Sequence, residues 1–346
     1  MNGDKIRIAA IGLGWVSCNR HLPVIARSPD YALAGVIDPK AEVVRSVAGR
    51  YGTRSAVARQ LSEVPWLDEV DALVIGTPPF VHAALIEEAL ERGKHVLTEK
   101  PFVMQLADGE RLAELALRRS RVLAIVHNFQ FARSFLCLQR DMKSGRLGAV
   151  RAVWAFQLSN PARRLPAWYE ELPGGLFFDE SPHLLYLLRR LLPDLQLRHV
   201  QLTPSRRGGS TPAEVQASLS NAGGQTATVL MNFEAALSEW HVVVIGEHGT
   251  ADVDIFRDIY LFLPNDGRHG ARDILRTGLG ATAAHLWGTL TSGLLHLASR
   301  LDYGNREVFF RFVQAVRGPV LQPQYIGSRE ALAVRRMQQQ ILEAGS

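Results

Sequence analysis

The sequence predicts an α/β doubly wound parallel sheet followed by an α+β domain with an open, mostly antiparallel sheet. Three observations predict it. Apolar runs of strand length alternate with helix-length segments over residues 1–127. Each of those runs ends on glycine, an acid or another polar residue. Beyond Pro193, alternating segments follow one another with no helix between them, which favours antiparallel pairing.

The totals set the frame. A chain of 346 residues has room for two domains at about 150 residues each. With 47% hydrophobic and 21% charged residues it is an ordinary soluble globular composition. The net charge of +5 comes from scattered arginines and short pairs such as Arg163-Arg164. No basic run or basic–aromatic interleaving is present, so nucleic acid is disfavoured, while a phosphorylated small molecule remains compatible. Cys18 and Cys137 are the two cysteines and lie far apart, so no metal spacing arises and no metal is expected. A reducing, cytoplasmic setting is expected. The N-terminus lacks a signal-peptide layout, and no apolar stretch of roughly 18 residues predicts a transmembrane helix.

In order, residues 5–11 read as a buried strand. Gly12-Leu13-Gly14-Trp15-Val16-Ser17 follows, and 18–27 reads as helix. This is a G-x-G-x-x-S loop between strand and helix, the setting of a dinucleotide fingerprint. Gly12 permits the tight turn, Gly14 permits close approach to a pyrophosphate, and Ser17 stands where glycine or alanine is usual. A second strand, 31–37, ends at Asp38, placed to accept from a ribose 2′-hydroxyl. Its charge repels a 2′-phosphate, so NAD is preferred. Lys40 keeps NADP open, and a turn acid before Pro39 is the plainer reading. Helix 40–50, strand 71–76, Thr77-Pro78-Pro79, helix 80–92, strand 95–97, helix 105–119 and strand 122–126 continue the alternation. Ligands bind beyond the carboxyl ends of such strands, where Gly12, Asp38, Thr77, Lys100 and Asn128 fall.

Lys100 is singular. Lysine is scarce here, five residues against 34 arginines, with none after Lys143. A lysine between Glu99 and Pro101 therefore asks for a reason. Burial can lower a lysine's pKa so that it donates a proton, whereas arginine stays charged. A solvated charge at a strand end is the other reading.

The first 130 residues resemble the Gfo/Idh/MocA family, which includes glucose–fructose oxidoreductase and inositol dehydrogenase. The resemblance is carried by Gly12-x-Gly14 with His21-Leu22-Pro23, Asp38, Thr77-Pro78-Pro79 with His82, Gly93-Lys94-His95-Val96-Leu97, Glu99-Lys100-Pro101 and Asn128-Phe129. It implies a Rossmann domain over 1–127 with nicotinamide cofactor near Gly12, Leu13, Gly14, Trp15, Val16, Asp38, Thr77, Pro78, Pro79, His82, Glu99, Lys100 and Asn128. It also implies that Lys100 reaches the substrate.

The second domain is expected over 128–346. A helix covers 129–144 and a strand 150–158. The loop 160–173 carries Arg163 and Trp168, suited to grip a polar ring or a phosphate, or else a surface loop pinned by Trp168. Gly174-Gly175 then opens a stretch with Asp179, His183 and Tyr186 at i, i+4 and i+7, one face of a helix. It resembles the family's glycine-led helix carrying Asp-x-x-x-His. An imidazole takes a hydroxyl proton near neutral pH, and the acid orients it. Pro182 is awkward inside a helix. Ser181-Pro182 reads alternatively as an N-cap and first helical residue, which would put Asp179 before the helix. Tyr186 stands where many relatives carry an acid, either as a proton donor to a substrate oxygen or as core packing.

Segments 197–203, 213–220, 225–233, 239–246 and 249–263 read as strands, 303–317 and 328–342 as helices. Residues 265–302 do not fit the family pattern and read as a helical insertion that packs on a neighbouring subunit, covers the cleft or rests on a membrane surface. The resemblance implies a homodimer or homotetramer. It implies hydride transfer between NAD(H) and a secondary alcohol or ketone of a sugar, nucleotide sugar or cyclitol, possibly phosphorylated. Redox-cycling lyase, epimerase or glycosidase chemistry, or non-catalytic dinucleotide sensing, are the alternatives.

Overall fold

The computed structural model describes residues 4–298, 300–319 and 321–345. The chain divides into two compact units, residues 1–127 with 305–336, and residues 128–304 with 337–346.

The first unit is built on a six-stranded sheet in the order β3-β2-β1-β4-β5-β6. Its strands are β1 Ile6–Ile11, β2 Tyr31–Asp38, β3 Arg54–Val57, β4 Ala72–Ile75, β5 His95–Thr98 and β6 Leu123–Ile125. All pairings are parallel. Between them lie α1 Leu22–Arg27, α2 Ala41–Tyr51, α3 His82–Glu91 and α4 Leu106–Arg118. The central strands are almost wholly buried, which is why they read as unbroken apolar runs. The expected strand and helix alternation is present. β3 has no counterpart in the sequence reading, because its edge residues are mostly exposed and polar.

One boundary differs from expectation. Residues 305–336 group with the first unit rather than the second. Their helix α8, Asn305–Arg317, is held by Tyr31, whose hydroxyl donates to the Phe309 carbonyl at 2.7 Å. The segment beyond it covers the open edge of the sheet. Ile125 N–H donates to Ile326 O at 2.7 Å, and Ala124 bridges Gly327. Ala331 and Leu332, at the start of α9 (Ser328–Ala344), enter the core formed by Leu73, Ile86 and Leu112.

The second unit carries a seven-stranded sheet in the order β13-β12-β11-β7-β10-β9-β8. The strands are β7 Val150–Leu158, β8 Gln196–Thr203, β9 Glu214–Ser220, β10 Thr226–Asn232, β11 Glu239–Gly246, β12 Gly249–Asp254 and β13 Ile259–Pro264. Neighbours run antiparallel except β7 and β10, which are parallel. The segment expected as one strand over 249–263 is thus a hairpin. Burial alternates along β9, β10 and β11, so each strand puts one face into the core. Helix α6, Leu176–Leu191, packs on β7 and β10, while α5, Arg133–Lys143, packs on β12 and β13. The expected helical insertion is a helix, α7, Ala271–Leu297, lying along β13.

Candidate functional site

In the first unit the loop after β1 turns at Gly12, whose φ is 81° and whose absent Cβ would meet Thr77 Cγ2 at 2.6 Å. Glycine is therefore required there twice, by conformation and by space. Gly14 is different. A Cβ there would meet nothing nearer than Gly76 O at 4.0 Å, so the protein's own packing does not demand glycine. Ser17, the departure from the fingerprint, is buried with its hydroxyl where a Cβ on Gly76 would collide. Leu13 is buried, while Trp15 and Val16 stand exposed in the first helical residues after Gly14.

Asp38 closes β2 with its carboxylate fixed on both sides. Oδ2 accepts from Leu13 N–H at 2.8 Å and Oδ1 from Lys40 N–H at 2.9 Å. Each oxygen keeps a second lone pair, so the acid is oriented without being used up. The open backbone at Gly14 and this aimed carboxylate fit the pyrophosphate and ribose of a dinucleotide.

The Thr77 and Lys100 turns are tied together by His82. It is fully buried, with Nε2 2.9 Å from Thr77 O and Nδ1 3.0 Å from Pro101 O. Burial pushes its pKa down against the pull of those carbonyls and of Glu99. Both ring nitrogens face backbone carbonyls, one of which the neutral ring's N–H donates to, so His82 shapes the two turns. The Lys100–Pro101 peptide is cis. Glu99 is buried, which raises its pKa, but His21 at 2.8 Å and the neighbouring Lys100 outweigh this and hold it below the usual range. Its Oε2 also accepts from Lys100 N–H at 3.0 Å, fixing the backbone that carries the lysine.

In the second unit α6 is buried almost throughout, and Asp179, Glu180 and His183 are buried with it. It begins at Leu176, whose N–H donates to Thr211 Oγ1 at 3.0 Å. Gly175 before it has φ 53°, and a Cβ there would strike Thr211. Asp179 therefore lies in the first turn of the helix, and the alternative start at Ser181-Pro182 is overturned. Pro182 sits inside the helix without an N–H for the carbonyl of Phe178. The side-chain amide of Gln338, fully buried on α9, supplies it. Nε2 donates to Phe178 O at 2.7 Å and to Ser181 Oγ at 2.8 Å. The local rule against proline is met by a partner 160 residues away, which no local pattern reveals.

Tyr186 is neither loose nor mere packing. Its hydroxyl accepts from Phe129 N–H at 3.0 Å and lies 2.9 Å from His183 Nδ1. Phe129 and Trp240 flank the imidazole at 4.7 and 5.3 Å between ring centroids. A hydroxyl both donates and accepts, so this partner accommodates either ring tautomer of His183. A carboxylate in its place would accept only from Nδ1–H.

Three other expected residues also lie in this unit. Arg163 pairs with Glu180, which also binds Gln157, so its charge is already met. Trp168 is half-buried at the start of the Tyr169–Glu171 turn. Asn128 donates from Nδ2 to Tyr303 O at 3.0 Å. An open hollow of about 380 Å³ lies beside the Arg163 loop, lined by Tyr169, Glu170, Arg207 and Phe233 among others. Its Glu170 is anchored by Ser210 N–H at 2.6 Å. Among the described residues, Glu239, His241 and Asp254 approach metal-ligand spacing, but Arg257 already bridges Glu239 and Asp254.

A doubly wound parallel sheet with a glycine turn and an aimed acid, joined to a second, mixed sheet, defines a dinucleotide-binding α/β protein. Comparison narrows this. The oxidoreductase, NAD-binding Rossmann-fold model of the Gfo/Idh/MocA family matches residues 6–127, and the family's C-terminal domain model matches 135–252. The chain belongs to the Gfo/Idh/MocA family. The uncharacterized oxidoreductase YdgJ of Escherichia coli is 36% identical over 187 residues, 53% of this chain and 52% of that protein. A dTDP-3,4-didehydro-2,6-dideoxy-alpha-D-glucose 3-reductase of Streptomyces violaceoruber is 32% identical over 188 residues, 54% of each chain. The matched stretches span about half the length of these curated relatives. The WlbA dehydrogenase of Bordetella pertussis, solved with NADH and UDP-GlcNAcA, shares the fold. Its TM-score is 0.78 at 20% identity, covering 99% of this chain and 96% of that one. No described helix is long and apolar enough to cross a membrane.

Proposed function

We propose that the chain is an NAD-dependent oxidoreductase that interconverts a secondary alcohol and a ketone on a sugar, nucleotide sugar or cyclitol. NAD(H), when bound, supplies the hydride acceptor or donor. Gly12, Gly14, Asp38 and Thr77 are the residues that would hold it. Asp38 favours NAD by repelling a 2′-phosphate.

The observation that carries the reading is His183 held by Tyr186 on a buried helix. With Nδ1–H donating to the phenol, Nε2 is the unprotonated nitrogen of the neutral ring and takes the proton of a substrate hydroxyl. With the phenol donating to Nδ1, Nε2 carries the proton and donates it to a ketone oxygen. The same ring then serves oxidation and reduction, with Tyr186 as its positioning residue. Lys100 donates a hydrogen bond to the reacting oxygen, and Asp179, one turn before His183 on the same helix, orients the ring. The Streptomyces violaceoruber relative is named for reducing position 3 of a dTDP-linked sugar, which supports a nucleotide sugar as the substrate class.

The test is an NADH fluorescence titration followed by a screen of nucleotide sugars, free sugars and cyclitols. Lys100→Ala and His183→Ala should each lower turnover by at least about 10²-fold while leaving NADH affinity within about threefold. Turnover within a few-fold of the wild type in either variant, on a substrate the wild type uses, refutes that residue's role.

A further inference from the structure

Helix α7 carries no aspartate, glutamate, lysine or arginine from Thr277 to Ala298. Its inner side is accounted for within the unit. Gly288 lies against Ile259, where a Cβ would come within 2.7 Å. Ser292 donates to Asp258 O at 3.0 Å and receives Arg133 at 2.5 Å. The outer side is also apolar. Leu275, Leu279, Leu286, Trp287, Leu290 and Leu294 are each more than half exposed, Trp287 at 70%.

An uncharged helical stretch whose exposed stripe is leucine and tryptophan is normally covered on that stripe. The exposed parts of those six side chains amount to roughly 750 Å², more than the largest patch of an ordinary monomer and close to the ~800 Å² each partner gives to a stable interface. The helix is about 40 Å long, so the stripe offers a continuous seam.

The stripe also matches its own reverse. Inverted about the point between Leu286 and Trp287, Leu279 falls opposite Leu294, and Ala283, the small residue, opposite Leu290. Apolar meets apolar, and small meets large. This is the self-complementarity that a two-fold, isologous contact requires, with the helix dipoles opposed. A bilayer suits the helix less well, since interfacial helices keep a strongly charged polar face and this one lays its other face on β13.

We propose that the outer face of α7 docks on α7 of a second copy of the chain, antiparallel about an axis near Leu286. The test measures mass by sedimentation velocity for the wild type, Leu286→Arg and the control Leu117→Arg, another exposed leucine. Circular dichroism establishes that each is folded. The expected result is a twofold drop in mass for Leu286→Arg alone. In a Cys18→Ser, Cys137→Ser background, Leu286→Cys should form an intermolecular disulfide well before Leu275→Cys, which lies far from the axis. A monomeric wild type at tens of micromolar, or an unchanged mass in Leu286→Arg, overturns the proposal. So does co-sedimentation of the wild type with phosphatidylcholine–phosphatidylglycerol vesicles that Leu286→Arg abolishes.

Discussion

Helices α6 and α7 belong to one unit and invert each other. α6 has 16 residues, nearly all buried, and takes Asp179, Glu180 and His183 inside with it. α7 has 27 residues, only Ser292 of them buried, and leaves its leucines outside. Hydrophobicity alone places neither. Buried polar groups persist on α6 because each can find a partner, as His183 does in Tyr186 and Glu180 in Arg163. Exposed leucines on α7 persist without any such internal account. What is anomalous for its surroundings is the ground for proposing chemistry in the first helix and association in the second.

The contrast breaks most directly at His183. His183→Ala should lower kcat by roughly 10²–10⁴-fold, the usual worth of a general acid–base, with NADH affinity held. Steady-state kinetics with a separate NADH titration checks it. A fall limited to a few-fold would return α6 to a purely structural part.

Next in size is the burial of a titratable ring outside α6. Burial pushes His127 in the first unit down to about 4 from the ordinary 6.5. The folded state therefore favours the neutral ring. The stability this gives is present above pH 6.5 and lost as pH falls toward 4, by about 3 kcal/mol at the lower end. Urea unfolding across that range should show the loss, and His127→Gln should flatten it.

Gln338→Leu should cost about 2 kcal/mol, because the Phe178 carbonyl is left buried without a donor. Adding Pro182→Ala restores a backbone N–H to that carbonyl and should recover most of the loss. A double-mutant cycle in urea measures the coupling, and additive effects would contradict the assignment.

Tyr186→Phe keeps the packing and removes the hydroxyl. A kcat reduced about tenfold is expected, from one lost hydrogen bond of roughly 1.4 kcal/mol, with a shifted pH profile and little change in KM. Tyr186→Glu fixes Nδ1–H and should lower ketone reduction more than alcohol oxidation. Smallest of all, Leu290→Gln on α7 should change the stability of the separated chain by no more than about 0.5 kcal/mol, measured at concentrations where the chain is monomeric.

The sequence exposed some of this and concealed the rest for physical reasons. Strands β1, β4 and β5 are covered on both faces, so their apolar runs stand out without ambiguity. Asp38 and Gly12 are marked by spacing from the first strand. Edge strand β3 is short and wet, and carries no such pattern. The return of residues 305–336 to the first unit depends on Tyr31 and Ile125, far away along the chain, and composition at either end does not signal it. Pro182 misled for the same reason, since Gln338 lies in a different helix. Arg163 and His82 were legible as residues that matter, but their partners, Glu180 and two backbone carbonyls, were not.

The amide of Gln338 also sets an order of events during synthesis. Every residue proposed for chemistry is out of the ribosome well before the one that completes α6. Until α9 arrives, the Phe178 carbonyl must be served by water. A nascent chain can thus pair its six parallel strands while its proton-handling helix stays unfinished, which ties catalytic competence to the arrival of α9.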